Sequence, residues 1–336
     1  MFTAPSPTND QQHTCSRRSA TDLDTAFTRR RVNMAPDEQP GVLQLTAGYG
    51  IEIRPESLER NSSGLDLEVF FAQDAVGDQW VLRVPRRDDV LPRAMAEQRA
   101  LSFIREFVSF ETPHWRVREA DLIAYKSLGG TPAGRFTAEV QDYVWGNSGT
   151  GVPEPFTASL AEVLAQLHQL PGHRAARAGL PLTEAEGLRA SMDERMHRVR
   201  AAFGVEETLW SRWQTWIARE EMWPRETGLI HGDLHPGHLL VDSEAVVTGV
   251  LDWTEAKVAD ISNDFVYHYM AFGEEELASL VARYDESGGR TWPLMTEHVI
   301  ELAAAFPIQI AEFALATQTE EMESMARGLL GTSPSG

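Results

Sequence analysis

One segment near residue 240 constrains the fold more than any other part of the chain. It follows an apolar run ending at Ile230, continues as a polar stretch over residues 231–238, and resumes with apolar residues at 239–241. A turn and a second apolar run lead to Asp252. This pattern predicts strand, loop, strand, turn and strand. Asp233 in the first loop and Asp252 after the last strand are the carboxylates of this segment.

The residue types in these two loops suit transfer of a phosphoryl group. A loop carboxylate such as Asp233 can orient an attacking hydroxyl and accept its proton. Asp252 can hold Mg²⁺, which prefers oxygen ligands and neutralises phosphate charge. We therefore predict Asp233 as the catalytic base and Asp252 as a metal ligand. His231 is expected to brace the loop through hydrogen bonds.

The same loop is dense in metal-ligand types, which leaves a rival interpretation open. His231, Asp233, His235 and His238 are spaced as H-x-D-x-H-x-x-H, and zinc or iron would suit such a set. A hydrolytic metal site is therefore the alternative to phosphoryl transfer. It leaves the charged residues of the N-terminal half without a role.

Composition limits the class of protein. The chain has 336 residues, 42% of them hydrophobic, and its apolar runs are short, so we expect two globular lobes and no membrane span. A formal net charge of −20 argues against nucleic acid as a partner and is compatible with a cationic ligand. The single Cys15 excludes an internal disulfide and indicates a cytoplasmic location. The chain shows no repeated apolar face, so we expect a monomer.

Residues 1–33 differ in character from the rest. They are polar and contain few large apolar residues, which predicts a disordered extension. No apolar segment follows the arginines at 29–31, so a targeting signal is rejected. The change at Met34 raises the hypothesis that translation begins there. We expect a nucleotide-binding lobe over 34–143 and a catalytic lobe over 144–332.

The N-terminal half is rich in strand patterns. A turn cluster at 61–64 precedes extended runs at 65–72 and 79–84, which are spaced as a hairpin. Further extended runs at 120–126 and 137–144 are expected to complete a small antiparallel sheet.

Arg83 is a charged residue on an apolar strand of this half. Glu97 follows on a helix predicted to begin near Pro92. Lysine occurs only at positions 126 and 257, so Arg83 is the one cation on its strand. A strand cation held by a helix glutamate is how kinases handle phosphates, and arginine keeps its charge in that role.

The C-terminal half is helical in pattern. Residues 157–170 carry an apolar stripe at helical spacing, with Thr157 as the predicted N-cap and His168 as a structural residue. Helical patterns recur at 186–203, 206–222, 274–286, 293–306 and 308–330. The tryptophans at 210, 213 and 216 are interpreted as a core-facing seam, with an aromatic ligand platform as the alternative. Strands followed by helices indicate an α+β protein.

Two motifs carry a resemblance to a known family. His231-Gly232-Asp233-Leu234-His235-Pro236 and Leu251-Asp252-Trp253 resemble the catalytic and metal-binding loops of the aminoglycoside phosphotransferase superfamily. A narrower resemblance is to the macrolide 2′-phosphotransferases. It rests on His238 and on residues 61–66, 80–87, 252–260, 272–275 and 288–293. The resemblance implies a bilobal, protein-kinase-like α+β fold, with a small β-rich N-lobe containing a helix and a larger, mainly helical C-lobe.

This resemblance also implies an activity and a set of site residues. The activity is transfer of the γ-phosphate of GTP, preferred over ATP, to the 2′-hydroxyl of a macrolide amino sugar, which gives macrolide resistance. Asp233 would be the base, and His238 and Asp252 would hold Mg²⁺. The nucleotide-binding residues implied are Ser62, Ser63, Arg83, Glu97 and, where an inter-lobe hinge would fall, Asp142, Tyr143 and Val144.

The acceptor pocket is predicted from the chemistry of that substrate. A macrolide is a large, mostly apolar ring bearing a dimethylamino group, so an apolar pocket with acidic surroundings would suit it. The predicted lining is Asp260, Ile261, Phe265, Tyr269, Phe272, Pro307 and Ile308.

Two further interpretations remain. One is another small-molecule kinase of the same superfamily, acting on an aminoglycoside or a metabolite; the aromatic cluster at 265–272 argues against polycationic aminoglycosides. The other is a non-catalytic ligand-binding module, against which stands the presence of both Asp233 and Asp252.

Overall fold

The structure is a computed structural model that describes residues 39–61, 67–87, 90–137, 142–145 and 151–332. The extension over 1–33, the proposed start at Met34, and Ser62 and Ser63 lie outside these residues. The chain divides into two compact units. The first is built from residues up to Val90 together with 115–125, and the second from 91–114 and from 126 onward. The predicted lobe boundary at 143 stays a prediction.

The first unit is a sheet with one short helix, α1 (Gln39–Gly48). The strands are β1 (Glu59–Asn61), β2 (Leu67–Gln73), β3 (Gln79–Pro85), β4 (Trp115–Arg118) and β5 (Ile123–Lys126), in the spatial order β1-β2-β3-β5-β4. The predicted hairpin is confirmed, because β2 and β3 pair antiparallel from Leu67↔Pro85 to Gln73↔Gln79. Its core is formed by side chains of α1, of the strands and of the residue before β5: Val42, Leu45, Phe70, Trp80, Leu82, Val117 and Leu122.

A single aspartate closes the β2–β3 hairpin. Asp74 Oδ1 accepts hydrogen bonds from the backbone N–H groups of Val76 (3.0 Å) and Asp78 (2.9 Å). Its Oδ2 accepts one from the Trp80 indole (2.9 Å). Aspartate favours such turns because its short carboxylate satisfies nearby backbone donors.

The second unit holds short strands among helices. The strands are β6 (Thr131–Pro132), β7 (Gly134–Thr137), β8 (Asp142–Trp145), β9 (Gly228–Ile230), β10 (Leu239–Val241), β11 (Val247–Val250) and β12 (Lys257–Ala259). The helices are α2 (Leu91–Ile104), α3 (Glu154–His168), α4 (Gly172–Arg177), α5 (Ala185–Phe203), α6 (Glu207–Ala218), α7 (Val266–Glu286), α8 (Met295–Ala304), α9 (Pro307–Thr317) and α10 (Glu320–Leu329). The small sheets have the orders β11-β10-β6, β12-β9 and β7-β8.

Three details differ from the sequence-based expectations. Helix α3 begins at Glu154, so Thr157 lies inside its first turn rather than at its N-cap; Pro155 suits that turn because it lacks an N–H that would be unbonded there. Strands β7 and β8 pair only with each other among the described strands and do not extend the five-stranded sheet. The pattern over 308–330 is two helices, because Gln318 adopts a left-handed conformation (φ 53°).

Burial in the core of the second unit confirms two further predictions. Trp210, Trp213 and Trp216 are all buried, which confirms the core-facing seam. His168 is fully buried, with Nδ1 3.0 Å from the Tyr284 hydroxyl, so it is structural as predicted.

The stretch Met295–Thr317 is long and apolar enough, by length and composition, to cross a membrane. In the structure it is two helices, α8 and α9, with a break at Ala305 and Phe306. His298, Val299 and Ala311 within it are fully buried. Core helices of soluble proteins pass the same test, so the stretch is weak evidence for a span.

Candidate active site

A β-hairpin brings the two predicted loops together. Strands β10 and β11 pair antiparallel with Leu239 opposite Val250. The residues just outside this pair, His238 and Leu251, are joined by a 2.8 Å hydrogen bond from Leu251 N to His238 O. The loop over 231–238 therefore lies beside Asp252, although Asp233 and Asp252 are nineteen positions apart in sequence.

Asp264 holds the backbone at the start of this loop. Its Oδ2 accepts a hydrogen bond from His231 N, and its Oδ1 accepts one from Gly232 N, both at 2.8 Å. His168 Nε2 lies 3.2 Å from the same Oδ2. Burial raises the pKa of Asp264, but the bond to His168 and the other hydrogen bonds outweigh burial, and its pKa is lowered overall. Asp264 was not among the site residues predicted from the sequence.

Gly232 is required by the shape of the loop. Its φ is +84°, and a Cβ at this position would lie 2.6 Å from the backbone oxygen of Glu255. Both the conformation and the space therefore exclude other residues. This places Asp233 directly after the tightest point of the turn.

His231 braces the loop as predicted. Its Nδ1 accepts a hydrogen bond from Asp233 N (3.2 Å), so Nε2 carries the proton and donates to the Leu251 carbonyl oxygen (2.8 Å). Burial, followed by the neighbouring His238, lowers the pKa of His231. A neutral, fully bonded imidazole at this point is structural.

The Asp233 side chain is partly exposed, at 38%. Tyr267 donates a hydrogen bond from its hydroxyl to Asp233 Oδ1 (3.2 Å). The other carboxylate oxygen lies 4.0 Å from His235 Nε2 and 3.9 Å from His238 Nδ1. Asp233 is thus an accessible carboxylate with one oxygen fixed by a phenol, which suits a group that must receive a proton from a ligand.

His238 and Asp252 form a pair that fits a divalent cation. His238 Nδ1 lies 2.9 Å from the Asp233 carbonyl oxygen, which can only accept, so in the neutral ring the lone pair is on Nε2. That Nε2 lies 4.0 Å from Asp252 Oδ2. Asp252 Oδ1 accepts hydrogen bonds from Thr254 Oγ1 (2.7 Å) and Thr254 N (3.3 Å). Partners of this kind orient a metal ligand.

The alternative metal site, for zinc or iron, has a less suitable arrangement of ligand atoms. Ligand atoms of Asp233, His235 and His238 lie within 4.8 Å of one another. However, His235 Nδ1 accepts a hydrogen bond from Gly237 N (3.1 Å), so the proton of the neutral ring is on Nε2, the atom that faces Asp233. Burial, then His238, lowers the pKa of His235 to about 4. The ring therefore presents N–H rather than a lone pair to this cluster, which disfavours the hydrolytic zinc interpretation.

A cavity opens beside the loop over residues 231–238. It is lined by Met192, Arg195, Gly232, Asn263, Val266, Tyr267, Leu302, Ala305, Phe306 and Gln309. Among these residues none is Asp or Glu. Arg195, the charged residue of the lining, forms an ion pair with Glu312 (Nη2 to Oε2, 2.7 Å). The cavity touches the loop at Gly232, and Tyr267 joins it to Asp233.

None of the seven predicted pocket residues is among the residues that line this cavity, and four of them are buried. Their role in binding an acceptor stays a prediction. Ile261, Phe265 and Ile308 are at most 1% exposed, so they form core rather than an accessible wall. Asp260 is also buried; its Oδ2 lies 2.6 Å from His298 Nε2 and its Oδ1 caps Ser262 N. The remaining three, Tyr269, Phe272 and Pro307, are half-buried and are not among the lining residues of the cavity.

The predicted nucleotide residues are distributed over both units. Arg83 is buried on β3, with its guanidinium carbon 5.9 Å from the Trp115 ring centroid. Glu97 is fully buried on α2, 3.5 Å from Thr254 Oγ1. Their pairing stays a prediction. Asp142, Tyr143 and Val144 lie on β8, whose backbone pairs with β7; their side chains, like Ser62 and Ser63, lie outside the described part of the chain.

Three residues of this site were not predicted from the sequence, namely Asp264, Tyr267 and Thr254. Tyr267 was seen only as part of an aromatic stretch, and Thr254 only as part of a motif. A hydroxyl two positions after Asp252 could have been recognised as a local side-chain turn. Asp264 and Tyr267 act across more than thirty residues of sequence, and no local pattern indicates such contacts.

Comparisons with known proteins identify the family of this chain. Residues 57–298 match the profile of a family described as "Phosphotransferase enzyme family". The Bacillus subtilis (strain 168) protein "Uncharacterized protein YcbJ" is 43% identical over 290 residues, covering 86% of this chain and 95% of that protein.

Two solved structures are also similar. The macrolide 2′-phosphotransferase MphH from Brachybacterium faecium has a TM-score of 0.82 at 33% identity, covering 90% of this chain and 100% of its own. A structure described as macrolide 2′-phosphotransferase type I has a TM-score of 0.79 at 33% identity, covering 89% and 99%. These matches confirm the kinase-like α+β fold expected from the sequence.

Proposed function

Because the chain belongs to the phosphotransferase enzyme family, we propose that it is a macrolide kinase that transfers the γ-phosphate of GTP to the 2′-hydroxyl of the macrolide amino sugar. The two similar structures at 33% identity are both macrolide 2′-phosphotransferases. The consequence would be resistance to the antibiotic.

Asp233 is the residue that would handle the acceptor. A new bond forms between the acceptor oxygen and the γ-phosphorus, and the bond from that phosphorus to the nucleotide diphosphate breaks. The hydroxyl proton passes to the Asp233 carboxylate. The 38% exposure of this side chain allows a ligand hydroxyl to reach it.

His238 Nε2 and the Asp252 carboxylate are the groups that would hold Mg²⁺, which when bound neutralises charge on the phosphates. Their 4.0 Å separation is within the roughly 4.2 Å that can separate two ligands of one Mg²⁺ at about 2.1 Å each. The fixed tautomer of His238 and the bonds from Thr254 to Asp252 Oδ1 orient both groups before an ion arrives.

The cavity is the observation that carries the choice of substrate. Its walls include the apolar side chains Met192, Val266, Leu302 and Phe306, and no described lining residue is acidic. An aminoglycoside carries several ammonium groups and would need several carboxylates. A macrolide offers a large apolar surface and one amine, for which the neighbouring Asp233 suffices.

The preference for GTP rests on the resemblance to macrolide 2′-phosphotransferases. A cytoplasmic location and a monomeric state are likewise proposals from the sequence.

A transfer assay tests the proposal. Erythromycin, azithromycin, kanamycin and choline would each be incubated with GTP or ATP and Mg²⁺, and products identified by mass spectrometry. We expect phosphorylated macrolides, formed faster with GTP. Absence of phosphorylated macrolide in every combination would overturn the substrate assignment.

The variant Asp233→Asn tests the role of Asp233 as the base. We expect transfer to fall at least a hundredfold, because the amide cannot accept the proton, with little change in nucleotide binding or melting temperature. Asp121→Asn is the control, since Asp121 also accepts a tyrosine hydroxyl bond, from Tyr49 (2.7 Å), but lies in the first unit. Full activity of the Asp233→Asn enzyme would remove the base assignment.

A further inference from the structure

Tyr267 connects the cavity with the candidate base. It is the second residue of α7, it lines the cavity, and its hydroxyl donates to Asp233 Oδ1 at 3.2 Å. This distance is long for an O–H···O bond, but hydrogen bonds at catalytic groups often shorten only when the ligand is present.

Two aromatic contacts fix the Tyr267 ring. Its centroid lies 5.7 Å from that of His235 at an interplanar angle of 75°, and 5.9 Å from that of Phe306 at 76°. These edge-to-face arrangements are favourable for aromatic rings. The hydroxyl is therefore held at one place relative to the loop.

The segment that contains Tyr267 also holds the backbone of the loop over residues 231–238. Asp264 lies three residues before Tyr267 and bonds the backbone N–H groups of His231 and Gly232. Asp264 thus positions the backbone that leads to Asp233, and Tyr267 contacts its carboxylate.

The carboxylate needs such a contact because it is partly exposed. Its Oδ2 is 3.9–4.0 Å from the nearest imidazole nitrogens, beyond hydrogen-bond distance. An exposed Asp side chain without a fixed partner samples several rotamers. The base must meet the acceptor hydroxyl in one geometry. The rate of transfer therefore falls when the carboxylate is distributed over several rotamers.

We propose that Tyr267 is a positioning residue that fixes the rotamer of Asp233, so that Oδ2 is presented to the acceptor hydroxyl. This inference rests on the proposed phosphotransfer, in which Asp233 is the base. It assigns to the Tyr267 hydroxyl a role in the rate of transfer rather than in the affinity for either ligand.

Tyr267→Phe tests the role of the hydroxyl. The ring and its aromatic contacts remain, so we expect kcat to fall about tenfold, as for loss of a hydrogen bond to a charged group, with KM for macrolide and nucleotide within about twofold of wild type. The matched control is Tyr49→Phe, which removes the hydroxyl bond to Asp121 in the first unit and should leave kcat unchanged. An unchanged kcat in Tyr267→Phe overturns the proposal.

A double-mutant cycle separates this role from a general structural one. In the Asp233→Asn background, adding Tyr267→Phe should change the residual rate by less than about twofold, because the hydroxyl acts through the carboxylate. A further tenfold loss in that background would overturn the proposal.

Crystal structures of the wild type and Tyr267→Phe give a readout that needs no acceptor. We expect the Asp233 carboxylate to change rotamer or to occupy several rotamers in the variant; an unchanged single rotamer contradicts the proposal. If the carboxylate moves but the wild type phosphorylates no macrolide, the proposed substrate fails and the role of Tyr267 stands.

Discussion

Asp252 is held in an unusual backbone conformation. Its φ is +53°, a left-handed value that non-glycine residues rarely adopt. Strain of this kind persists where surrounding contacts maintain it, and it concentrates at functional sites. Here the contacts come from Thr254, which bonds Asp252 Oδ1 through both its hydroxyl and its backbone N–H.

Thr254→Val tests this local support. Valine has nearly the same shape but cannot donate to Asp252 Oδ1. We expect the Mg²⁺ concentration for half-maximal activity to rise about tenfold, the lower end of the effect of losing a partner of a metal ligand. Binding of Mn²⁺, followed by electron paramagnetic resonance, should weaken in parallel.

Thr254→Ser is the control for this variant, because serine keeps the hydroxyl and should retain near-wild-type metal affinity. Equal metal affinity of the Val and Ser enzymes would show that the hydroxyl does not orient Asp252.

At the level of elements, α7 shows that an aromatic-rich pattern does not tell which side chains line a cavity. The segment from Phe265 to Phe272 is rich in aromatic residues and was predicted to form pocket walls. In the structure Phe265 is buried in the core, whereas Val266 and Tyr267 line the cavity. Consecutive residues of a helix point about 100° apart. A prediction that is off by one residue therefore selects a side chain in the core instead of one that lines the cavity.

The end of α9 offers a test of backbone strain. Gln318 is exposed and terminates the helix with φ +53°, while its N–H bonds Ala314 O at 2.8 Å. Glycine adopts this conformation without the Cβ clash. A left-handed non-glycine residue costs roughly 1–2 kcal/mol, and the greater flexibility of glycine in the unfolded chain costs roughly 0.5–1 kcal/mol. Gln318→Gly should therefore raise the free energy of unfolding by about 0.5–1 kcal/mol, measured by urea denaturation.

Gln318→Ala keeps a Cβ and should give no such gain. A loss of stability in the glycine variant, with the alanine variant unchanged, would contradict the argument.

At the scale of the whole molecule, buried histidines make stability depend on pH. His268 stacks against Phe156 (centroids 6.4 Å apart) and contacts Phe272 edge-on (5.0 Å). Burial lowers its pKa to about 4, although a hydrogen bond to the Glu276 carbonyl opposes this. The ordinary pKa of 6.5 applies in the unfolded chain, so the unfolded state binds the proton first as pH falls. Stability is lost from about pH 6.5 down to pH 4.

His268→Phe should reduce this loss. Between pH 7 and pH 5 the variant is expected to lose roughly 2 kcal/mol less of its unfolding free energy than the wild type, measured by urea denaturation at each pH. The quantity compared is the change in unfolding free energy from pH 7 to pH 5. The absolute values are not compared, because the phenylalanine variant also loses the hydrogen bond to the Glu276 carbonyl. His197→Gln, at an exposed ring (61%), is the control. Equal losses in wild type and His268→Phe would contradict the prediction.

Most of the helices and strands, and the candidate site residues, could be predicted from the sequence. The β2–β3 hairpin, most of the helices and the core role of Trp210, Trp213 and Trp216 were readable, because each follows from local periodicity or turn chemistry. The candidate base Asp233 and the candidate metal ligand Asp252 were readable because their loops carry a recognisable order of residue types.

Tertiary structure alone decided how these parts meet. The bonds from Asp264 to the loop backbone, the contact of Tyr267 with Asp233, and the cavity wall formed by α5, α7, α8 and α9 join residues far apart in sequence. Such contacts depend on the packing of whole helices, which local patterns do not encode. The tautomers of His231, His235 and His238 depend on individual hydrogen bonds, which the spacing of these residues in sequence does not reveal.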